Sequence, residues 1–287
     1  MKRILITGAN SYIGTSFEKW MAQWPEEYQV DSVGMRNGEW KELDFSSYDT
    51  IFHVAGIAHQ DAKADQEDLY YKVNRDLTVE VAQKAKAEGV KQFIFMSSMI
   101  VYGASSKIGE TKIITRDTVP EPINFYGNSK LQAEQGILPL QSEGFDVVVI
   151  RPPMIYGKGS KGNYPLLAKF SKFMPIFPNV DNQRSMLHID NLTEFIRLII
   201  NYQERGIFFP QNKEYVKTSE MVKIIGDVNN NKIILTNSLN IIITLVSNRF
   251  ALINKIFGSL IYEKSMSNLE WNYIIREFRD SIIITEE

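Results

Sequence analysis

The sequence predicts an α/β fold, a doubly wound parallel sheet followed by a smaller C-terminal lobe. Apolar, β-rich runs alternate with helical patterns about five times in the first half of the 287-residue chain, as a parallel sheet with covering helices requires. A glycine turn, Gly8 to Gly14, lies between the first strand and the first helix. After Gly157 the alternation weakens, and we expect the smaller lobe to begin there.

Five runs in this half have the composition of strands that are buried on both faces, because they are almost continuously apolar. They are Arg3 to Thr7, Gln29 to Met35, Thr50 to Ala55, Gln92 to Ser97 and Asp146 to Arg151. Between the third and fourth strands, apolar side chains recur every four residues at Leu69, Val73, Leu77 and Val81. This spacing predicts a helix with one buried stripe, and Gly89 supplies its stop signal.

Composition and charge narrow the range of functions. The chain has 32 basic and 34 acidic residues, and this balance gives no electrostatic footprint for nucleic acid. It contains no cysteine, which excludes disulfides, thiolate metal ligands and a cysteine nucleophile. Its three histidines, His53, His59 and His188, are too dispersed to indicate a metal site. The start MKRILITGAN passes directly into a strand without the features of a signal peptide, so we expect a cytoplasmic protein.

The segment from Ile241 to Ile261 is the one stretch that suggests a membrane. It is interrupted by Asn248, Arg249, Asn254 and Lys255. Because of these polar residues it lacks the long apolar run that a spanning helix needs. We interpret the segment as an amphipathic helix packed on the body or on a partner subunit, with contact at a membrane as the alternative.

The glycine turn follows a strand and opens a helix, where backbone N–H groups and the helix dipole can hold a pyrophosphate. Ser11 stands at the middle glycine position of the usual pattern. A tight connection without a ligand is the simpler alternative, because a single glycine-rich turn is a weak signal. Together with the strand before it, the helix after it and the motifs described below, the turn favours dinucleotide binding.

The residues after the second strand bear on which dinucleotide binds. Arg36 follows this strand with no carboxylate after Asp31, and an arginine here accommodates a 2′-phosphate, which favours NADP over NAD. A solvated surface arginine is the alternative. In KELDF, Asp44 with Phe45 beside it stands where a side chain could reach the adenine ring, or Asp44 is a turn residue.

Tyr126 and Lys130 stand four residues apart in NFYGNSKLQAEQ, part of a segment that we expect to be helical from Asn124 to Gln141. Residues at this spacing share a helix face, so the ammonium and the phenol can share one site, and the positive charge can lower the tyrosine pKa. Ser98 follows the strand QFIFMS at the carboxyl edge of the sheet, where ligands of such folds bind. These groups can transfer a proton, with an exposed helix turn as the alternative.

Several motifs appear in order, namely TGANSYIG, FHVAG, VNRD, SSMIVYG, YGNSK and RPPMIYG. In these motifs the chain resembles the extended short-chain dehydrogenases, the NAD(P)-dependent nucleotide-sugar epimerase/dehydratase family, over residues 1 to 205. The resemblance implies a Rossmann-type fold and a homodimer. We expect an NAD(P)-binding domain over residues 1–157 and a mainly substrate-binding lobe over 158–287, with a segment near 186–206 returning to the core.

By this resemblance Ser98, Tyr126 and Lys130 match the catalytic residues, and Lys130 also contacts the nicotinamide ribose. Asn74 matches an asparagine that supports the active-site helix. Met99 and Arg184 match substrate positions, Arg184 at the sugar diphosphate, although an ordinary surface charge is the alternative for this arginine. The implied cofactor positions are Gly8, Ser11, Tyr12, Ile13, Gly14, Arg36, Asp44, Phe45, Ala55, Gly56, Asn74, Tyr126, Lys130 and Pro153.

The sequence departs from the family pattern at three places. Met99 and Ile100 stand where nucleotide-sugar 4,6-dehydratases carry the Asp and Glu of the elimination, and neither side chain can exchange a proton. Met154 replaces an asparagine that touches the substrate in many members. RPPMIYG thereby resembles the subgroup that reduces or epimerises sugars for bacterial surface polysaccharides. The end EFRDSIIITEE lacks the leucine-glycine-tryptophan signature of many epimerases.

These residues predict a NAD(P)-dependent oxidoreductase that acts on a nucleotide sugar, without a metal and without membrane insertion. The expected reaction is 4-keto reduction or C4 epimerisation of a UDP-linked (N-acetyl)hexosamine, and not 4,6-dehydration. Two alternatives stay open, a catalytically idle dinucleotide-binding sensor or scaffold and a ketone reductase of the steroid or flavonoid type. The serine, tyrosine and lysine argue against the first, and Arg184 argues against the second.

Overall fold

The computed structural model describes residues 1–58, 64–247, 249 and 251–287, so His59 and Asn248 lie outside the described residues. The chain divides into two compact units. The first contains residues 1–103, 119–152 and 192–210, and the second contains residues 104–118, 153–191 and 211–287. This division differs from the expected one, because 104–118 belongs to the second unit and the returning segment is 192–210.

The strands are β1 (Lys2–Thr7), β2 (Tyr28–Val33), β3 (Thr50–His53), β4 (Gln92–Met96), β5 (Thr111–Ile114), β6 (Asp146–Ile150), β7 (Met154–Tyr156), β8 (Ile176–Pro178), β9 (Met186–His188), β10 (Gly206–Phe208), β11 (Ile234–Thr236) and β12 (Ser259–Tyr262). The α-helices are α1 (Tyr12–Met21), α2 (Glu67–Tyr70), α3 (Leu77–Ala87), α4 (Phe125–Ile137), α5 (Asn163–Phe173), α6 (Ile189–Asn201), α7 (Thr218–Val228), α8 (Asn240–Ser247), α9 (Ala251–Phe257) and α10 (Phe278–Glu286). A π-helix (Tyr71–Asp76) joins α2 to α3.

Six parallel strands form the central sheet of the first unit in the order β10-β6-β4-β3-β1-β2. The predicted Rossmann-type α/β fold is confirmed, and all five predicted strands lie in this sheet. The sixth strand, β10, is only three half-buried residues long, so no apolar run reveals it. The order reverses between β1 and β3, and ligands of open α/β sheets bind in the crevice beyond the carboxyl ends at such a reversal.

One sequence prediction is wrong, because the apolar stripe from Leu69 to Val81 is not the buried face of its helix. Leu69 is 47% exposed, and only Val81 of the stripe is fully buried. Tyr70, Asn74 and Thr78 are buried on that side instead. The buried face is displaced by one residue from the apolar stripe. Two of its positions, Asn74 and Thr78, are polar and form hydrogen bonds, and an apolar pattern cannot reveal such positions.

The second unit contains three two-stranded parallel sheets and the helices α5, α7 and α10. Its sheets pair β5 with β12, β7 with β9, and β8 with β11. Its apolar core includes Tyr156, Phe177, Met221 and Ile282. The pairing of β5 with β12 places 104–118 here, because β5 has its partner 148 residues further along the chain. No local sequence pattern indicates such a partner.

The segment 241–261 folds as α8, α9 and part of β12 rather than as one helix. Ile243 and Ile253 pack against the core of the second unit, as we expect for a segment on the body. Ile241 and Leu245 are exposed, which that interpretation does not predict. None of the helices in the described part of the chain is long and apolar enough to cross a membrane.

A fully buried histidine, His53, ends β3 between two threonines. Its Nδ1 is 2.7 Å from Thr7 Oγ1, and its Nε2 is 3.1 Å from Thr78 Oγ1. The Thr78 hydroxyl donates to the Asn74 carbonyl, so Nε2 donates to Thr78 and Nδ1 accepts from Thr7. Burial, and to a smaller extent the charge of Lys130, lowers the pKa of His53 to about 3, which keeps the imidazole neutral.

We expect the free energy of unfolding to fall as the pH is lowered from 6.5 toward 3. In this range the unfolded chain protonates His53 and the folded chain does not, so this residue removes about 1.4 kcal/mol of stability per pH unit. Urea unfolding at several pH values measures the slope, with Trp20, Trp24 and Trp40 reporting on the first unit by fluorescence.

The His53→Gln variant is the control, because it removes the titrating group and should give a shallower slope. His188 is also buried, and burial lowers its pKa to about 4, so it contributes equally to both proteins. An identical slope in the variant and the original protein would contradict the assignment.

Candidate active site

The glycine turn closes against the end of β3. Gly8 has φ +119°, and a Cβ there would lie 2.7 Å from the backbone nitrogen of Ala55. Only glycine fits this backbone conformation and this close approach. The N–H groups of Gly8 and Ala9 donate to the Val33 carbonyl at 2.9 and 3.0 Å, which joins the turn to the end of β2. The turn therefore lies at the reversal of strand order, where a ligand is expected.

The start of α1 suits the diphosphate of a dinucleotide. Ser11 is the N-cap, and its Oγ accepts the Gly14 N–H at 3.1 Å. A Cβ at Gly14 would lie 2.6 Å from this Oγ, so the capping serine requires the glycine. Tyr12 and Ile13 begin the helix, whose N–H groups and dipole favour an anion at this end. These residues fit the cofactor that the sequence implies.

Three residues expected near the adenosine have different environments. Arg36 is exposed in the loop after β2, close in sequence to the Val33 carbonyl that holds the glycine turn. Asp44 is exposed, and its Oδ1 accepts the Ser46 N–H at 2.8 Å, so its carboxylate has the role of a turn residue. Phe45 is fully buried in the core of the first unit, so its ring is not available to stack on a base.

Helix α4 carries Tyr126 and Lys130 one turn apart, and both side chains are buried, so the predicted spacing places them on one face. Asn124 is the N-cap, and its Oδ1 accepts the Gly127 N–H at 2.8 Å. A Cβ at Gly127 would lie 2.9 Å from the Ile100 carbonyl oxygen. The first turn of α4 therefore packs directly against the short turn that follows β4.

Ser98 lies close enough to the Tyr126 phenol to act on the pKa of that phenol. Ser98 follows β4, and its Oγ accepts the Ile100 N–H at 3.2 Å, while the Tyr70 ring packs edge-on against Tyr126 at 6.1 Å. Burial raises the pKa of Tyr126 to about 12, and the nearby Ser98 hydroxyl opposes the rise. The expected lowering by Lys130 is therefore wrong for this structure. At neutral pH the phenol is protonated and can donate to an adjacent oxygen.

Lys130 lies over the end of β4. Its Nζ donates to the Met96 carbonyl at 2.9 Å and lies 4.6 Å from the centre of the Phe95 ring. A Cβ at Gly56 would lie 3.1 Å from this Nζ, so glycine leaves room for the ammonium. Burial lowers the pKa of Lys130 to about 8, and the charge of Glu134 opposes this. The lysine is therefore mostly charged at neutral pH.

Asn74 lies in the π-helix, and its side chain is fully buried. Its Oδ1 accepts the Ile57 N–H at 2.8 Å, and its Nδ2 donates at 3.1 Å both to the Ile57 carbonyl and to Ser129 Oγ. The Ser129 hydroxyl in turn donates to the Tyr126 carbonyl at 2.8 Å. One amide thus ties α4 to the loop after β3, which is where Ala55 meets the glycine turn.

A buried ion pair lies next to Lys130, and the sequence analysis missed it. Glu134 accepts Arg151 Nε at 3.1 Å on each carboxylate oxygen, and it also accepts the Ser97 hydroxyl. Arg151 follows β6, and its Nη1 donates to Tyr102 Oη at 2.6 Å. Glu134 continues the four-residue spacing on α4, so the helix period alone could have placed it on the face of Lys130.

We expect Glu134→Gln to destabilise the first unit by about 3–5 kcal/mol, because it leaves the Arg151 guanidinium buried without a counter-charge. Urea unfolding at neutral pH measures the loss. The matched control is the double variant Glu134→Leu/Arg151→Met, which removes both charges and should lose much less stability. Equal losses in the single and double variants would show that the unpaired charge is not the cause.

Arg184 lies in the second unit, and its backbone pairs with Val216 at 3.0 and 2.8 Å. Its Nη1 donates to the Gly258 carbonyl at 2.9 Å, and its side chain lines a small cavity together with Thr218 and Lys255. Burial lowers the pKa of Arg184 to about 10, and no carboxylate of the described residues contributes to that pKa. A phosphate group would supply the counter-charge.

The structure brings most of the predicted site residues together in the first unit, from the glycine turn to α4. Met99 is buried there, and its N–H donates to the Pro152 carbonyl at 2.9 Å. Pro153 and Arg184 belong to the second unit.

The chain is similar to several known proteins. A family model described as the NAD dependent epimerase/dehydratase family matches residues 4–208. A UDP-glucose 4-epimerase from Vibrio cholerae is 32% identical over 246 residues, which cover 77% of this chain and 74% of that protein.

A second relative is the N-acetyl-alpha-D-glucosaminyl-diphospho-ditrans,octacis-undecaprenol 4-epimerase from Escherichia coli O157:H7. It is 28% identical over 214 residues, which cover 68% of this chain and 62% of that protein. Among solved structures, a dTDP-4-dehydrorhamnose reductase from Clostridium acetobutylicum has a TM-score of 0.74 at 18% identity. The match covers 99% of this chain and 98% of that one, and it shows a shared fold.

Proposed function

The chain belongs to the NAD-dependent epimerase/dehydratase family, and from that premise we propose that it moves hydride to and from C4 of a sugar carried on a diphosphate. The proposed substrate is a UDP-linked (N-acetyl)hexosamine for surface-polysaccharide synthesis. The observation that carries the proposal is the burial of the Tyr126 phenol and the Lys130 ammonium one helical turn apart on α4, with Ser98 acting on the phenol. A protein that only binds a dinucleotide transfers no proton, so it does not need Ser98, Tyr126 and Lys130 in this arrangement.

A nicotinamide dinucleotide, NAD or NADP, supplies and accepts hydride when it is bound. The first turn of α1 would hold its diphosphate, and Gly56 and Lys130 would lie at its nicotinamide ribose. Tyr126 exchanges the proton of the C4 oxygen, and Ser98 holds the same oxygen by a hydrogen bond.

C4 epimerisation is the first candidate reaction, because the Vibrio and Escherichia relatives are both named as 4-epimerases. Reduction of a 4-keto sugar is the second, supported by Arg36 beyond β2, where an arginine favours NADP. Met99 and Ile100 support the exclusion of 4,6-dehydration, because neither side chain can move a proton.

The carrier of the sugar has a second candidate as well. The Escherichia relative is named for a sugar linked through diphosphate to undecaprenol, a lipid. The same groups around Tyr126 would act on C4 whether the diphosphate carries uridine or a lipid.

We expect the purified protein to convert UDP-N-acetylglucosamine to its C4 epimer without net consumption of NADH or NADPH, which NMR of the sugar protons measures. A reductase would leave this substrate unchanged and would consume NADPH when given a UDP-linked 4-keto-6-deoxy sugar. A 4-keto-6-deoxy product formed from UDP-N-acetylglucosamine would contradict the exclusion of dehydration.

In the same assay we expect Tyr126→Phe to lower turnover by about 10²–10⁴-fold, because the ring loses the group that transfers the proton. Tyr48→Phe is the matched control. Tyr48 is another buried tyrosine of the first unit, and its hydroxyl donates to Asp31 at 3.0 Å. This control should keep its activity. Full turnover in Tyr126→Phe would contradict the role of Tyr126, whereas no turnover of either substrate by the original protein would favour the sensor or scaffold alternative.

We expect Arg184→Gln to raise KM for the UDP-sugar by about 10–100-fold, the loss of a charged hydrogen bond worth about 1.5–3 kcal/mol. The phosphates do not react, so kcat should change little. Steady-state kinetics measure both constants. Arg279→Gln, at an exposed arginine of the same unit, is the control and should match the original protein. A lower kcat with unchanged KM would contradict the diphosphate assignment.

A further inference from the structure

Helices α8 and α9 expose a set of large apolar side chains to solvent. Ile241 is 71% exposed, Ile242 58% and Leu245 73% on α8, and Leu252 on α9 is 50% exposed. We call these four residues the apolar face. Single exposed apolar residues are ordinary, but four on two consecutive short helices are a patch that favours contact with another surface.

The apolar face is not needed to attach α8 and α9 to the second unit. Ile243 and Ile253 already attach the two helices to the core of the second unit. On α8 the small polar side chain of Ser247 is buried, while Ile241 and Leu245 point to solvent. A helix that is apolar on both sides is normally covered on both sides. The solvent-facing side of α8 is therefore suited to a partner surface that is itself apolar.

The charges of the chain segment that carries the apolar face indicate what kind of partner fits. Between Asp227 and Glu263 the chain has no acidic residue over 35 positions, whereas the average of the whole chain would give about four. Lys232 and Arg249 in this stretch are exposed cations. A segment with large exposed apolar side chains, two exposed cations and no acidic residue complements a surface that offers hydrocarbon beneath negative charge.

We propose that α8 and α9 dock on a phospholipid bilayer that carries anionic head groups, with the apolar face lying in the interface. A second copy of this chain fits less well. In a twofold dimer the same patch faces itself, so the acid-free basic stretch would lie against its own copy. The mode is interfacial, since the two helices are 8 and 7 residues long.

Docking in this way would bring the cavity at Arg184 close to lipid head groups. Lys255 and Ile256 of α9 line that cavity, and Arg184 Nη1 donates to the carbonyl of Gly258, directly after α9. The link to a substrate rests on the proposed function: a sugar whose diphosphate is anchored to a lipid would be presented at the surface on which α9 lies. The docking itself does not depend on the reaction.

The test is sedimentation of the full chain with sucrose-loaded vesicles, either of phosphatidylcholine alone or of phosphatidylcholine with one third phosphatidylglycerol. We expect about five-fold more protein to bind to the anionic vesicles, and the bound fraction to fall as salt rises, because salt screens the attraction. Ile241→Ser/Leu245→Ser should lose this binding and keep its turnover of a water-soluble UDP-sugar. These positions are exposed, so the variant should fold.

The matched control is Ile113→Ser/Val119→Ser, which removes two exposed apolar side chains elsewhere and should bind vesicles like the original chain. Failure of the original chain to bind either vesicle would overturn the proposal. A dimer that sedimentation velocity shows to dissociate in Ile241→Ser/Leu245→Ser would also overturn it, by assigning the apolar face to a second copy. Neither result depends on turnover, so a failure of docking can be distinguished from a failure of the proposed reaction.

Discussion

The side-chain amide of Asn74 is the contact on which the candidate active site depends. It forms hydrogen bonds with the backbone of Ile57 beyond β3 and with the hydroxyl of Ser129 on α4, and so it fixes the distance between the edge of the sheet and α4. Its backbone carbonyl accepts from Thr78, which in turn accepts from His53. A buried polar group without a partner costs about 1–3 kcal/mol, so a polar residue lies stably here only because each of its groups is bonded.

Burial, rather than attraction between neighbours, sets the protonation of Tyr126 and Lys130. It favours the neutral form of both Tyr126 and Lys130, so the phenol holds its proton more tightly and the ammonium holds its proton less tightly. The charge of Glu134 raises the pKa of Lys130 and so opposes the effect of burial. The charge of Glu134 is itself balanced by Arg151. Tyr126 therefore keeps its proton, and the charge of Lys130 can change with its surroundings. The proposed epimerisation at C4 runs in both directions and would use both groups.

The sequence predicts what is encoded locally and fails where a partner is distant. Five strands and the shared face of Tyr126 and Lys130 follow from apolar runs and the helix period, and Gly89, at φ +80°, ends α3 as expected. The stripe at Leu69 fails because its helix buries polar groups instead. The partner of Glu134, Arg151, lies 17 residues away on another element, so the spacing on α4 could indicate a face but not an ion pair.

The pairing of β5 with β12 has a consequence for how the chain is made. Strand β5 is synthesised 148 residues before its partner, so at roughly 5–20 residues per second it waits roughly 7–30 s for β12. In the same interval β6 and β10 emerge and can complete the central sheet, whose strands lie closer together in the chain. The second unit therefore closes after the central sheet, and β5 remains an unpaired strand until β12 has been synthesised.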